Sequence, residues 1–170
     1  MQTKYTQTSS TSVSFSYSVN GQTKSGSYSI SPALLHLLAS VKECSYESAK
    51  LACSQEAKKF KESGVSKGLT DLVKLYVYSQ LINDNLLIGY KYSTSKESKT
   101  CAFYNEEKER KTTRVEVPSI IFYALKSRFS NPNYEVSCSY QKVRDSFQDC
   151  KDVNFEESMR LYLLNLLIKK

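Results

Sequence analysis

The chain has 170 residues, 40% of them apolar and 24% charged, the size and balance of one globular domain or two small ones packed together. Twenty-four Lys plus Arg against seventeen Asp plus Glu leave +7, a sign compatible with nucleic acid or with an acidic protein surface as partner. A mean hydropathy of −0.46 and the lack of an apolar run near the ~18 residues that a membrane helix needs argue against a membrane span.

The first element in chain order is a hairpin. Val13, Phe15, Tyr17 and Val19 alternate with serines, Asn20-Gly21 is a type I′ turn signal, and Tyr28 and Ile30 resume the alternation. Ser31-Pro32 predicts an N-cap followed by proline at the first helical position, opening a short helix through Leu34, Leu35, Leu37 and Leu38. A second helix is expected from about Ser45 to Glu62, with Ala49, Ala52, Cys53, Ala57 and Phe60 inward and Gly64 just past its end. The third, from about Leu69 to Ile82, is apolar almost all round and reads as buried.

From Asn85 the same order begins again: an aromatic ribbon with Tyr90 and Tyr92, a strand with Cys101 and Phe103, a charged tip, a strand with Val115 and Val117, and a helix opened by Pro118. A shift of 86 residues sets Pro32 on Pro118, Leu34-Leu35 on Ile120-Ile121, Gln55 on Gln141, Leu75-Tyr76 on Leu161-Tyr162 and Leu81-Ile82 on Leu167-Ile168. The fold class expected is therefore α+β, with two similar halves, residues 1–84 and 85–170, each a β-hairpin followed by three helices and sharing a helical core.

The halves differ in donor chemistry. Residues 1–84 carry nine Lys, no Arg and six acids, net +3, whereas residues 85–170 carry ten Lys, all five Arg and eleven acids, net +4. Arginine's planar fork suits phosphate and base edges, while lysine is a hydrated point charge, so polyanion contacts are expected in the second half. The nucleic-acid-binding residues expected there are Lys91, Tyr92, Lys96, Lys99, Arg110, Lys111, Arg114 and Arg144.

No reacting centre can be assembled. Gly64-Val65-Ser66-Lys67-Gly68 has the letters of a nucleophile elbow but links two helices, and the lone His36 precedes that serine. Gly21 to Gly26 lacks the Gly-Lys-Ser/Thr ending of a phosphate loop. Glu106, Glu107 and Glu109 alternate with Lys108, Arg110 and Lys111, which reads as a solvated tip. Five cysteines, Cys44, Cys53, Cys101, Cys138 and Cys150, form no C-x-x-C and have one histidine between them, so no metal and no cofactor are expected.

Free thiols, a polar start without the pattern of a secretory signal, and the lack of any N-x-Ser/Thr acceptor give a cytoplasmic protein as the expectation. A strand followed by two helices, over Gly26 to Phe60 and again over Thr112 to Phe147, is similar in order to the ribbon-helix-helix DNA-binding proteins. That resemblance covers under half the chain and no diagnostic motif carries it. It implies Tyr28, Ile30, Val115 and Val117 facing in, with Ser27, Ser29, Arg114 and Glu116 facing out. The reading is a small non-enzymatic nucleic-acid-binding protein, a regulator or accessory of a larger nucleoprotein complex. The alternative is a protein-interaction module, an inhibitor or adaptor, and oligomeric state is not legible.

Overall fold

A computed structural model describes residues 9–147 and 153–168. Strands β1 (Thr11–Val19) and β2 (Gln22–Ile30) pair antiparallel from Thr11↔Ile30 to Val19↔Gln22. Asn20 and Gly21 close the hairpin at φ 52° and 75°, the two left-handed residues of a type I′ turn. Ser31 caps α1 (Pro32–Val41), its hydroxyl accepting from the Leu34 amide at 3.3 Å. Ser45 does the same for α2 (Tyr46–Glu62). Gly64, at φ 95°, ends α2 in a Schellman motif, with Val65 N–H on the Phe60 carbonyl at 3.0 Å and Gly64 N–H on Lys61 at 3.1 Å. The connector to α3 (Leu69–Leu81) holds the Gly-x-Ser-x-Gly letters between two helices.

The order repeats. A 3-10 turn (Asp84–Leu86) and an irregular stretch lead to β3 (Lys96–Tyr104) and β4 (Arg110–Pro118), paired from Lys96↔Pro118 to Tyr104↔Arg110, then α4 (Ser119–Arg128), α5 (Pro132–Phe147) and α6 (Phe155–Leu167). The protein is thus α+β, two antiparallel hairpins and six described helices forming two similar halves around one hydrophobic cluster. Leu34, Leu35, Val73, Val77 and Leu81 meet Ile120, Ile121, Met159, Leu163 and Leu167 in it. At roughly 1.5–3 kcal/mol for each large side chain fully buried, that shared cluster is the main force holding the halves together.

The helix ends report the symmetry. Ile82 pairs antiparallel with Ile168, and Asn83 N–H reaches the Leu167 carbonyl at 2.9 Å. Antiparallel pairing of a residue with its own equivalent is what a twofold axis produces, and 82 and 168 are equivalents at the 86-residue shift. The shift is not uniform. It is 86 for α3 against α6 and for the start of α2 against that of α5, but 87 for α1 against α4 and for the buried residues of β2 against those of β4, Tyr28 on Val115 and Ile30 on Val117, because the second hairpin tip is longer and the α4–α5 link is one residue shorter than its counterpart. Pro118 therefore stands at the N-cap, where Ser31 stands in the first half, and not at the place of Pro32.

Three other expectations are corrected. Tyr90 and Tyr92 form no ribbon, since residues 90–95 have no strand partner. Tyr90 instead meets Tyr92 edge-on and Tyr123 at a tilt, at 5.4 and 5.1 Å between ring centroids, and these ring contacts hold the chain where a ladder would have. The third helix is buried along one stripe, Leu69, Val73, Val77, Tyr78 and Leu81, with Leu75 and Tyr76 half-buried outside it. Finally, β2 and β4 do not pair with each other, so the strand arrangement of ribbon-helix-helix proteins is absent: each half makes its own two-stranded sheet. The in-out pattern holds nonetheless, with Tyr28, Ile30, Val115 and Val117 buried and Ser27, Arg114 and Glu116 exposed.

Candidate nucleic-acid interface

In the second hairpin, Thr100, Ala102 and Tyr104 stand opposite Arg114, Thr112 and Arg110. Side chains alternate across a strand, so these six share the face turned away from Cys101, Phe103, Val115 and Val117. Arg110 and Arg114 are exposed and make no ion pair or hydrogen bond among the described residues. The equivalent face of the first hairpin carries only hydroxyls, Ser12, Ser14, Ser16 and Ser18 beside Thr23, Ser25, Ser27 and Ser29.

Helix α5 lies along the free edge of β3. Ser137 and Gln141, one turn apart, satisfy that edge: the Ala102 amide donates to Ser137 Oγ at 3.3 Å, the Tyr104 amide to Gln141 Oε1 at 2.6 Å, and Gln141 Nε2 to the Tyr104 carbonyl at 3.2 Å. Val136, Val143 and Phe147 turn inward from the same helix. Its first turns rise beside the outer face and enclose a groove of about 590 Å³, floored by Thr100, Ala102, Tyr104, Arg110 and Thr112 and walled by Asn131, Asn133, Tyr134 and Cys138. No acidic residue lines it. Tyr104 is 58% exposed and Tyr134 61%. Cys138, one turn on, raises the pKa of the Tyr134 hydroxyl above the ordinary tyrosine value.

The residues expected from the sequence divide among three places. Arg110, Arg114 and, at the far end of the ribbon, Lys96 are on the outer face. Lys99, Lys111 and Arg144 belong to the opposite side: Lys99 sits 3.6 Å over the Phe122 ring and 2.6 Å from Glu97, Lys111 pairs with Glu109 at 2.7 Å, and Arg144 lies 4.5 Å over Phe103. Lys111, and after it Asn105, hold the Glu109 carboxyl below its usual pKa. Lys91 and Tyr92 lie in the irregular stretch before β3, exposed beside the Tyr90 stack.

Sequence reasoning passed over Asn131, Asn133 and Tyr134. The available signal was Tyr134's phase: two residues before Val136, it falls on the helix face opposite the apolar stripe, where an aromatic has no core to serve.

His36 is exposed against Tyr46, at 4.5 Å between rings. Among the described residues no group of three or more His, Cys, Asp or Glu is arranged to hold a metal ion, and no helix is long and apolar enough to cross a membrane. Comparison with family models, curated proteins and solved structures finds no match to this chain.

Proposed function

We propose that the protein is a non-enzymatic nucleic-acid-binding protein that uses the outer face of the β3–β4 hairpin, as a regulator or accessory of a larger nucleoprotein complex. The observation that carries this is the pair Arg110 and Arg114, exposed and without partners among the described residues, on a ribbon face whose counterpart in the first hairpin presents hydroxyls alone. Arginines held by carboxylates would be self-neutralised, whereas these two keep their full donor capacity for phosphate or base edges. Lys99, Lys111 and Arg144 act as supports of the ribbon, since each is already engaged by a carboxylate or a ring. A reducing, cytoplasmic setting fits the four described cysteines, none of which is bridged.

The test is a binding titration at two salt concentrations. Arg114→Ala should weaken binding and lower the salt slope by about one, as loss of a single phosphate contact does. Ser27→Ala, at the equivalent place on the first hairpin, should change nothing. No binding at low salt, or equal losses for Arg114→Ala and for Lys67→Ala in the α2–α3 connector, would overturn the reading and favour an acidic protein surface as partner.

A further inference from the structure

We infer that the groove between the β3–β4 ribbon and the first turns of α5 takes nucleic acid as a single strand, with unpaired bases stacked on Tyr104 and Tyr134. This rests on the nucleic-acid reading above and goes further, because it excludes the duplex that a ribbon would otherwise enter.

The exclusion is one of width. A two-stranded ribbon fits the major groove of B-DNA, about 12 Å wide, only when its edges are free. Here α5 is bonded along the β3 edge through Ser137 and Gln141. Adding a helix of about 10 Å diameter to strands about 4.8 Å apart gives an element of roughly 15 Å or more, too wide to enter. The wall that α5 raises beside the outer face bars the duplex and makes the groove.

What lines the groove suits separated bases. Two tyrosines, each more than half exposed, offer faces on which any base can stack. Asn133 supplies amide donors and an acceptor for a base edge, and Arg110 supplies positive charge for the backbone. No acid is among the lining residues, so no carboxylate wall faces a polyanion in the groove. Duplex bases would keep their faces covered and leave both tyrosines unused.

The experiment is fluorescence anisotropy with labelled oligothymidylate and oligouridylate of about 12 nucleotides, within the usual span of such grooves, and with a duplex of equal length at low salt. A single strand of either sugar should bind about tenfold or more tighter than the duplex. Tyr104→Ala and Tyr134→Ala should each weaken single-strand binding about tenfold, one lost stack, with the salt slope unchanged. Tyr104→Phe and Tyr134→Phe should retain binding, and Leu51→Ala, an exposed apolar residue of α2 outside the groove, should match the parent. Duplex binding equal to or tighter than single-strand binding would overturn this inference while leaving the nucleic-acid reading intact. Alanine variants that bind as the parent does would overturn it equally. Binding of neither form would remove both.

Discussion

Ser31 does two jobs, and removing its hydroxyl should cost far more than removing an ordinary cap. Its Oγ accepts from the Leu34 amide to cap α1 and donates to Glu157 Oε1 in α6 at 2.9 Å, a bond between halves with both residues buried. The Glu157 side chain is only 4% exposed and has Arg160, itself 12% exposed, at 3.4 Å. Loss of an N-cap costs about 1 kcal/mol, and loss of a hydrogen bond to a charged group about 1.5–3 kcal/mol. Ser31→Ala should therefore destabilise by about 2–4 kcal/mol, or roughly 10 °C in Tm for a chain of this size. Ser45→Ala removes a cap from exposed surface and should cost about 1 kcal/mol or less. Chemical denaturation of Ser31→Ala, of Glu157→Gln and of the two combined closes a cycle whose coupling is expected at about 1 kcal/mol or more, with Ser45→Ala measured beside them. Ser31→Asp keeps a good cap but sets a second carboxylate against Glu157, so it should be worse than alanine at pH 7. If Ser31→Ala cost no more than Ser45→Ala, the contact between α6 and the start of α1 would contribute nothing.

Two further outcomes follow from buried groups. Burial pushes the Tyr28 hydroxyl up to about 12, despite its bond to Ser54 at 3.0 Å, and burial raises Tyr78 as well. The unfolded chain releases these protons near pH 10 and the folded chain does not, so stability present in full below pH 10 should fall as the pH rises towards 12. Thermal melts from pH 8 to 11.5 check this, and a flat profile above pH 10 would contradict it. Cys53, raised by burial to about 12, and Cys101, also raised by burial, should resist a thiol reagent in the folded state, whereas exposed Cys44 and half-buried Cys138 react. After unfolding without reductant all five should titrate, and a lower count would mean a bridge. Cys150 lies outside the described residues.

Much of the local structure could be read along the chain because its causes are local. Asn20-Gly21, Ser31-Pro32, Ser45 and Gly64 each answer to a backbone requirement within a few residues, and alternation around Tyr28 and Val115 gives the buried face of each ribbon. The repeat was legible for the same reason, because equivalent helices keep equivalent stripes: Val73, Val77 and Leu81 fall on Met159, Leu163 and Leu167. Tertiary structure alone decided what stands beside the charged side chains. Lys99 and Arg114 read alike in sequence, yet one is spent on Glu97 and the Phe122 ring and the other is free among the described residues. The docking of β3 beside α4, which sets the Phe122 ring under Lys99, settles that difference. The groove needs Tyr104 and Tyr134, thirty residues apart, on one side of a ribbon edge. Only the docking of Ser137 and Gln141 on β3 places them there, a long-range contact that no local propensity encodes.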